Sequence, residues 1–187
     1  MTTIDEHGCT MLHHAAHQGL AELCRKLAFC VDADTEARDK DGRTPLMYAA
    51  AAGHAEAVRA ICHSGAHPNL QDYYGKTALL HAVLSGNIET VRELCWSSTH
   101  KDVADNDGTT ALIAASARGH RAIVERLIEK GAMRWQHDKT GQTALMWAKA
   151  NGHAEVLTIL EKLEAEDEAY WVMRMSEYME RLKQVIT

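Results

Sequence analysis

The sequence predicts an all-α solenoid, with five short helix–turn–helix units stacked side by side and followed by a C-terminal helix. Three regularities carry this expectation. All twelve glycines fall into register: Gly8, Gly42, Gly75, Gly108 and Gly141 are 34, 33, 33 and 33 residues apart, each is followed eleven residues later by Gly19, Gly53, Gly86, Gly119 and Gly152, and Gly65 and Gly131 lie 23 residues after the leading glycine of their unit. A threonine stands two residues beyond each leading glycine (Thr10, Thr44, Thr77, Thr110, Thr143), and a leucine two further on (Leu12, Leu46, Leu79, Leu112, Leu145). Behind the second glycine, apolar residues recur at helical spacing, as in Val58/Ile61/Cys62, Val91/Leu94/Cys95 and Ile123/Val124/Leu127/Ile128. A fixed period of this length is the mark of a stacked array.

Each unit reads in order. Asp39-Lys40-Asp41-Gly42 and Asp105-Asn106-Asp107-Gly108 are tight turns in which glycine takes the positive-φ position. The threonine that follows is an N-cap, its hydroxyl accepting an orphan N–H of the first turn. Pro45 stands at the first helical position of unit two, where its missing donor costs nothing. About two turns of helix then reach the second glycine, which suits a left-handed terminus, and a second amphipathic helix follows. Neither helix is long enough to persist alone in water, so the units must stack to bury their faces.

These residues resemble the ankyrin repeat. Its Thr-Pro-Leu-His-x-Ala-Ala signature appears as Thr10-Met11-Leu12-His13-His14-Ala15-Ala16 and Thr44-Pro45-Leu46-Met47-Tyr48-Ala49-Ala50, and its Gly-His-x-Glu segment as Gly53-His54-Ala55-Glu56 and Gly152-His153-Ala154-Glu155. Gly65-Ala66-His67-Pro68-Asn69 and Ala33-Asp34-Thr35-Glu36-Ala37 resemble its β-hairpin approach. The resemblance places repeats at about 5–38, 39–71, 72–104, 105–137 and 138–163. Unit one carries an extra residue near Phe29 to Asp32, and unit three has Ser98 where glycine is usual, so irregular hairpins are expected there.

Residues 164–187 hold neither Gly nor Pro and form an amphipathic helix, with an apolar stripe of Trp171, Met175, Tyr178, Leu182 and Val185. The stripe is expected to cap the open end of the stack, with a helix–helix dimer seam as the alternative. Glu161 stands where earlier units carry Cys62, Cys95 and Ile128, so the fifth unit offers an outward partner less apolar surface.

Composition excludes several classes. The 187 residues carry 20 Lys and Arg against 26 Asp and Glu, a net charge of −6, which argues against nucleic acid or an anionic membrane as partner. No apolar run approaches the ~18 residues of a membrane span, and Met1-Thr2-Thr3-Ile4-Asp5-Glu6 has neither the basic start nor the apolar stretch of a signal peptide. Five scattered cysteines fit a reducing, cytoplasmic setting.

No catalytic constellation is legible. The twelve histidines include His13 and His17 at i, i+4, with His7 and His14 nearby, but neither Cys-x-x-Cys nor His-Glu-x-x-His is present. No metal and no cofactor is expected, and the resemblance gives His13 a structural role linking the helix start to a neighbouring turn. Cys24, Cys62 and Cys95 lie on apolar stripes. Cys9 and Cys30 are candidate exposed thiols without a base or orienting partner. Phosphate-binding and nucleophile-elbow motifs are missing as well, so the chain reads as non-enzymatic.

Helical geometry points the positions two, five and six residues beyond each signature leucine away from the core. Among them are His14, His17, Tyr48, His81, Leu84, Arg118 and Trp147, with Arg43, Tyr73 and Tyr74 at the turn tips. Tyr, Trp and Arg are the residue types enriched where interfaces concentrate their energy. The resemblance implies that this concave groove and its tips hold a segment of another protein. On that reading, truncating Tyr48 or Trp147 weakens binding and leaves thermal unfolding nearly unchanged. The chain is expected to be a monomer, or a dimer through its C-terminal helix.

Overall fold

The computed structural model describes residues 4–30, 34–96 and 99–186, and side chains within 4–170 and at 173–176. The extra residue of unit one and Ser98 of unit three lie outside the described residues, as do the side chains of Trp171, Tyr178, Leu182 and Val185. Among the described residues ten helices follow one another: α1 (Met11–His17), α2 (Ala21–Ala28), α3 (Pro45–Ala52), α4 (Ala55–His63), α5 (Ala78–Ser85), α6 (Ile88–Trp96), α7 (Ala111–Ala117), α8 (Arg121–Glu129), α9 (Ala144–Ala150) and α10 (Ala154–Ile186). The odd-numbered helices pack in one row and the even-numbered in a second, each against its own partner and its neighbours along the row. The approach segments are turns; the described β pairing is limited to the isolated bridges Ile4–Thr10 and His137–Thr143.

Local chemistry explains the boundaries. Thr77, Thr110 and Thr143 cap α5, α7 and α9, their hydroxyls accepting the amides of Leu80, Ile113 and Met146. Gly53 and Gly86 end α3 and α5 in the left-handed region, with φ of 79° and 74°. Gly19 has a second reason to lack a side chain. A Cβ there would lie 2.6 Å from the His54 ring, whose Nε2–H donates to the His17 carbonyl at 3.1 Å and ties unit two to unit one. His153 repeats that tie, donating to the Ala117 carbonyl at 3.0 Å.

The core runs through the stack without interruption. Leu46, Leu79 and Leu112 are 1% exposed, and Ile61, Leu94 and Leu127 are fully buried behind them. The turn tips add one backbone hydrogen bond at each junction, the amides of Lys40, Tyr73, Asn106 and Lys139 donating to the carbonyls of His7, Asp41, Tyr74 and Asp107. No described helix is long and apolar enough to cross a membrane.

Two expectations need correction. The C-terminal segment is not a separate helix folded over the end of the stack: α10 runs unbroken for 33 residues. Val156 and Leu160 bury its first turns against the stack, whereas from Glu161 to Ser176 the described side chains are exposed or half-buried. A continuous helix cannot turn back, and nothing in 161–170 breaks it. Cys9, expected at an open turn tip, is 6% exposed, its Sγ 3.5 Å from the Tyr48 hydroxyl.

Candidate partner-binding face

The inner face is built on five aspartates, each three residues before a leading glycine. In every unit the Asp Oδ1 accepts the amides two and four residues on, at 2.8–3.0 Å: His7 and Cys9 for Asp5, Asp41 and Arg43 for Asp39, Tyr74 and Lys76 for Asp72, Asp107 and Thr109 for Asp105, Thr140 and Gln142 for Asp138. This closes each tip into an Asx turn.

The second carboxylate oxygen is taken by a side chain nine residues on. His14 Nε2–H donates to Asp5 at 2.9 Å, the Tyr48 hydroxyl to Asp39 at 2.7 Å, His81 Nε2–H to Asp72 at 2.9 Å and the Trp147 indole N–H to Asp138 at 2.7 Å. Unit four carries Ala114 at this position, and among the described residues Asp105 Oδ2 has no partner. Thus four residues expected to face a partner also hold their own tip against their own inner helix. Tyr48 and Trp147 are half-buried and pack on the core, so neither is the free-standing aromatic that the sequence led us to expect.

Unit two concentrates this chemistry. Arg43 bonds both Asp39 (3.0 Å) and Asp41 (2.6 Å), and its guanidinium lies 5.0 Å from the Tyr48 ring centre. His13 and His17 meet the same ring edge-on, at 5.3 and 6.0 Å. Burial pushes the Asp39 carboxyl up, but the Tyr48 hydroxyl, the Arg43 amide and guanidinium and the Asp41 amide together hold it below the usual carboxylate range. The Tyr48 phenol is raised by burial and by its bonds to Cys9 and Asp39. Asp138 likewise resists burial through Thr140, Gln142 and Trp147, and sits at about 2.

His13 is fully buried. The Thr10 amide donates to its Nδ1 at 3.0 Å, so Nε2 carries the proton and donates to the Arg43 carbonyl at 3.1 Å. The imidazole therefore bridges units one and two as a neutral group, and burial lowers its pKa further.

Two recesses open on this face. One of ≈ 410 Å³ is lined by Asp5, His7, Cys9, His14, His17, Asp39, Lys40, Asp41, Arg43 and Tyr48. The other, of ≈ 180 Å³, is lined by His17, Arg43, Met47, Tyr48, Ala51, Ala52 and His81. They share His17, Arg43 and Tyr48, so the structure brings five of the expected residues together in units one to three. Tyr73 and Tyr74 stand 66% and 58% exposed at the third tip, and Arg118 is exposed farther along. Leu84 is half-buried against the core, and Trp147 lines neither recess. A third recess, of ≈ 420 Å³ between Arg59, His63, His67 and Trp96, lies outside the groove that the sequence pointed to.

Chemistry at the cysteines is muted. Burial raises the thiol pKa values of Cys24 and Cys95, which leaves them protonated and inert. Among the described residues no group of three or more His, Cys, Asp or Glu converges as a metal cage.

An all-α stack of short helix pairs with a recessed inner face defines a class of repeat protein. The family model for ankyrin repeats, three copies, matches residues 12–105 and 79–168, and the chain belongs to that family. Ankyrin repeats generally mediate protein–protein interactions and are generally non-enzymatic. Among curated proteins the chain is similar to the ADP-ribosylation factor GTPase-activating protein AGD4 of Arabidopsis thaliana, at 35% identity over 65 residues. That match covers 35% of this chain and 8% of the larger protein.

Proposed function

We propose that the chain is a non-enzymatic binding module that holds a segment of another protein along its inner face and turn tips. The observation that carries this reading is the pair of recesses meeting at His17, Arg43 and Tyr48. They combine a cation, two aromatic rings and small alanines in walls that the Asx turns and inter-unit bonds already hold in place. A preorganised surface of this kind loses little ordering entropy when it binds. The groove residues are His14, His17, Arg43, Tyr48, Tyr73, Tyr74, His81, Leu84, Arg118 and Trp147, with the end nearest units one to three as its centre. The partner is a protein, neither nucleic acid nor membrane, in a cytoplasmic setting.

The test separates binding from folding by using the residues with the fewest internal bonds. His17→Ala, Tyr73→Ala and Tyr74→Ala are combined in one variant, with Trp135→Ala as a control away from the recesses. Affinity capture followed by mass spectrometry is expected to lose a specific protein from the triple variant at least tenfold and keep it with the control. Identical captured sets, with both variants folded, would overturn the proposal.

A second reading has one observation in its favour. Beyond the stack, α10 exposes Tyr170, Met173 and Met175 at 53%, 52% and 54%, a surface by which the chain docks or self-associates as a scaffold subunit. Truncation after Leu163 then abolishes that assembly while sparing capture by the groove.

A further inference from the structure

Unit two differs from its neighbours at the end of its inner helix. Five and six residues beyond the signature leucine it carries Ala51 and Ala52, where the other units carry His17 and Gln18, Leu84 and Ser85, Ala117 and Arg118, and Ala150 and Asn151. Ala51 is exposed and Ala52 half-buried, so the pair makes a dip between the longer side chains of units one and three. The smaller recess, of ≈ 180 Å³, opens at this dip, with His17, Arg43, Tyr48 and His81 as walls and the buried Met47 beneath.

Charge limits what the recess accepts. Arg43 is the charged side chain of its lining, since His81 spends its Nε2–H on Asp72 at 2.9 Å. The guanidinium in turn donates to Asp39 at 3.0 Å and to Asp41 at 2.6 Å. A carboxylate brought into the recess meets these two aspartates behind the guanidinium, and an ammonium meets the guanidinium itself. Neither sign of charge is matched.

The guanidinium nevertheless keeps an open side. It lies over the Tyr48 ring, 5.0 Å from its centre, and is held by two carboxylates, yet the Arg43 side chain is 37% exposed. A cation fixed in this way is complemented by a group of negative potential and no net charge, which is the face of an aromatic ring. Arginine's planar head suits that contact as lysine's does not. Volume agrees: an apolar cavity of about 150 Å³ takes a benzene molecule, so ≈ 180 Å³ matches one six-membered ring.

We infer that this recess receives the ring of a phenylalanine or tyrosine carried by the partner segment, against the open side of Arg43 and over Ala51 and Ala52. The inference rests on the groove reading above and names the side chain that anchors the partner there.

The test uses the ¹H–¹⁵N spectrum of the full chain titrated separately with N-acetyl-phenylalaninamide, N-acetyl-leucinamide and N-acetyl-glutamate amide. Binding of one isolated side chain is expected in the millimolar range. Signals of Ala51, Ala52 and the Arg43 Nε–H are expected to move together, with the phenylalanine probe about threefold to tenfold tighter than either of the others. Ala51→Leu fills the dip at an exposed position and is expected to abolish the shifts. Arg43→Lys keeps the charge without the plane and is expected to remove the preference over leucine. Equal or tighter binding of the leucine or glutamate probe, shifts confined to other residues, or shifts that survive Ala51→Leu would each overturn the inference. The groove reading fails separately, through unchanged capture by the His17/Tyr73/Tyr74 variant. Lost capture with no preference for the aromatic probe leaves the groove standing and rejects the ring.

Discussion

Residue by residue, the inner face is a set of carboxylates each shared between a turn and a helix. The spacing of nine that joins Asp39 to Tyr48 and Asp138 to Trp147 lies open in the sequence, but the donors are His, Tyr, His and Trp, with Ala114 in unit four. A pattern in residue type does not reveal a pattern in hydrogen-bonding capacity. For that reason the aromatics read as surface anchors when their polar ends point inward. Tyr48→Phe keeps the ring and removes the bond to a buried carboxylate, a change worth about 1–3 kcal/mol. Chemical denaturation is expected to show that loss with the m-value unchanged; a midpoint equal to wild type would return Tyr48 to the role of a pure contact residue.

At the scale of elements, the sequence was informative where chemistry is local. Threonine caps, left-handed glycines and the two rows of helices all stand where the 33-residue register puts them, because each is decided within a few residues. It failed at α10, where the repeat register ends and the composition change at 164 looked like a boundary. An acidic, alanine-containing run without Gly or Pro is a continuation signal for a helix, and the Arg134–Asp167 ion pair, at 2.6 Å, steadies the first turns beyond the stack.

Inter-element histidines also set a pH response. Burial lowers the pKa of His13, His81 and His120 below the ordinary 6.5, so at mildly acidic pH the unfolded chain binds more protons than the folded one. Stability is then complete above about pH 6.5 and falls as pH drops through the lowered folded values. The aspartates add a second loss only below about 4, where the carboxyls of the unfolded chain take up protons that Asp39 and Asp138 still resist in the fold. Thermal midpoints are expected to drop by several degrees between about pH 7.5 and about pH 5, with part of that slope removed in His13→Gln. A flat profile across that window would contradict the buried, neutral assignment.

For the whole molecule, five marginal helix pairs become one object because every junction repeats two ties, a continuous apolar core and a backbone bond between tips, and two junctions add an imidazole bond to the preceding carbonyl. The partner's identity is not written in such a fold, since the ties that make the stack are indifferent to what it binds. The proposed centre of binding is the inner face of units one to three, where the two recesses meet. Hydrogen–deuterium exchange of the chain with and without the captured protein tests this most directly. Protection is expected to concentrate in the tips and inner helices α1, α3 and α5. Protection confined to the outer helices around Trp96, or to α10 beyond Leu163, would contradict it.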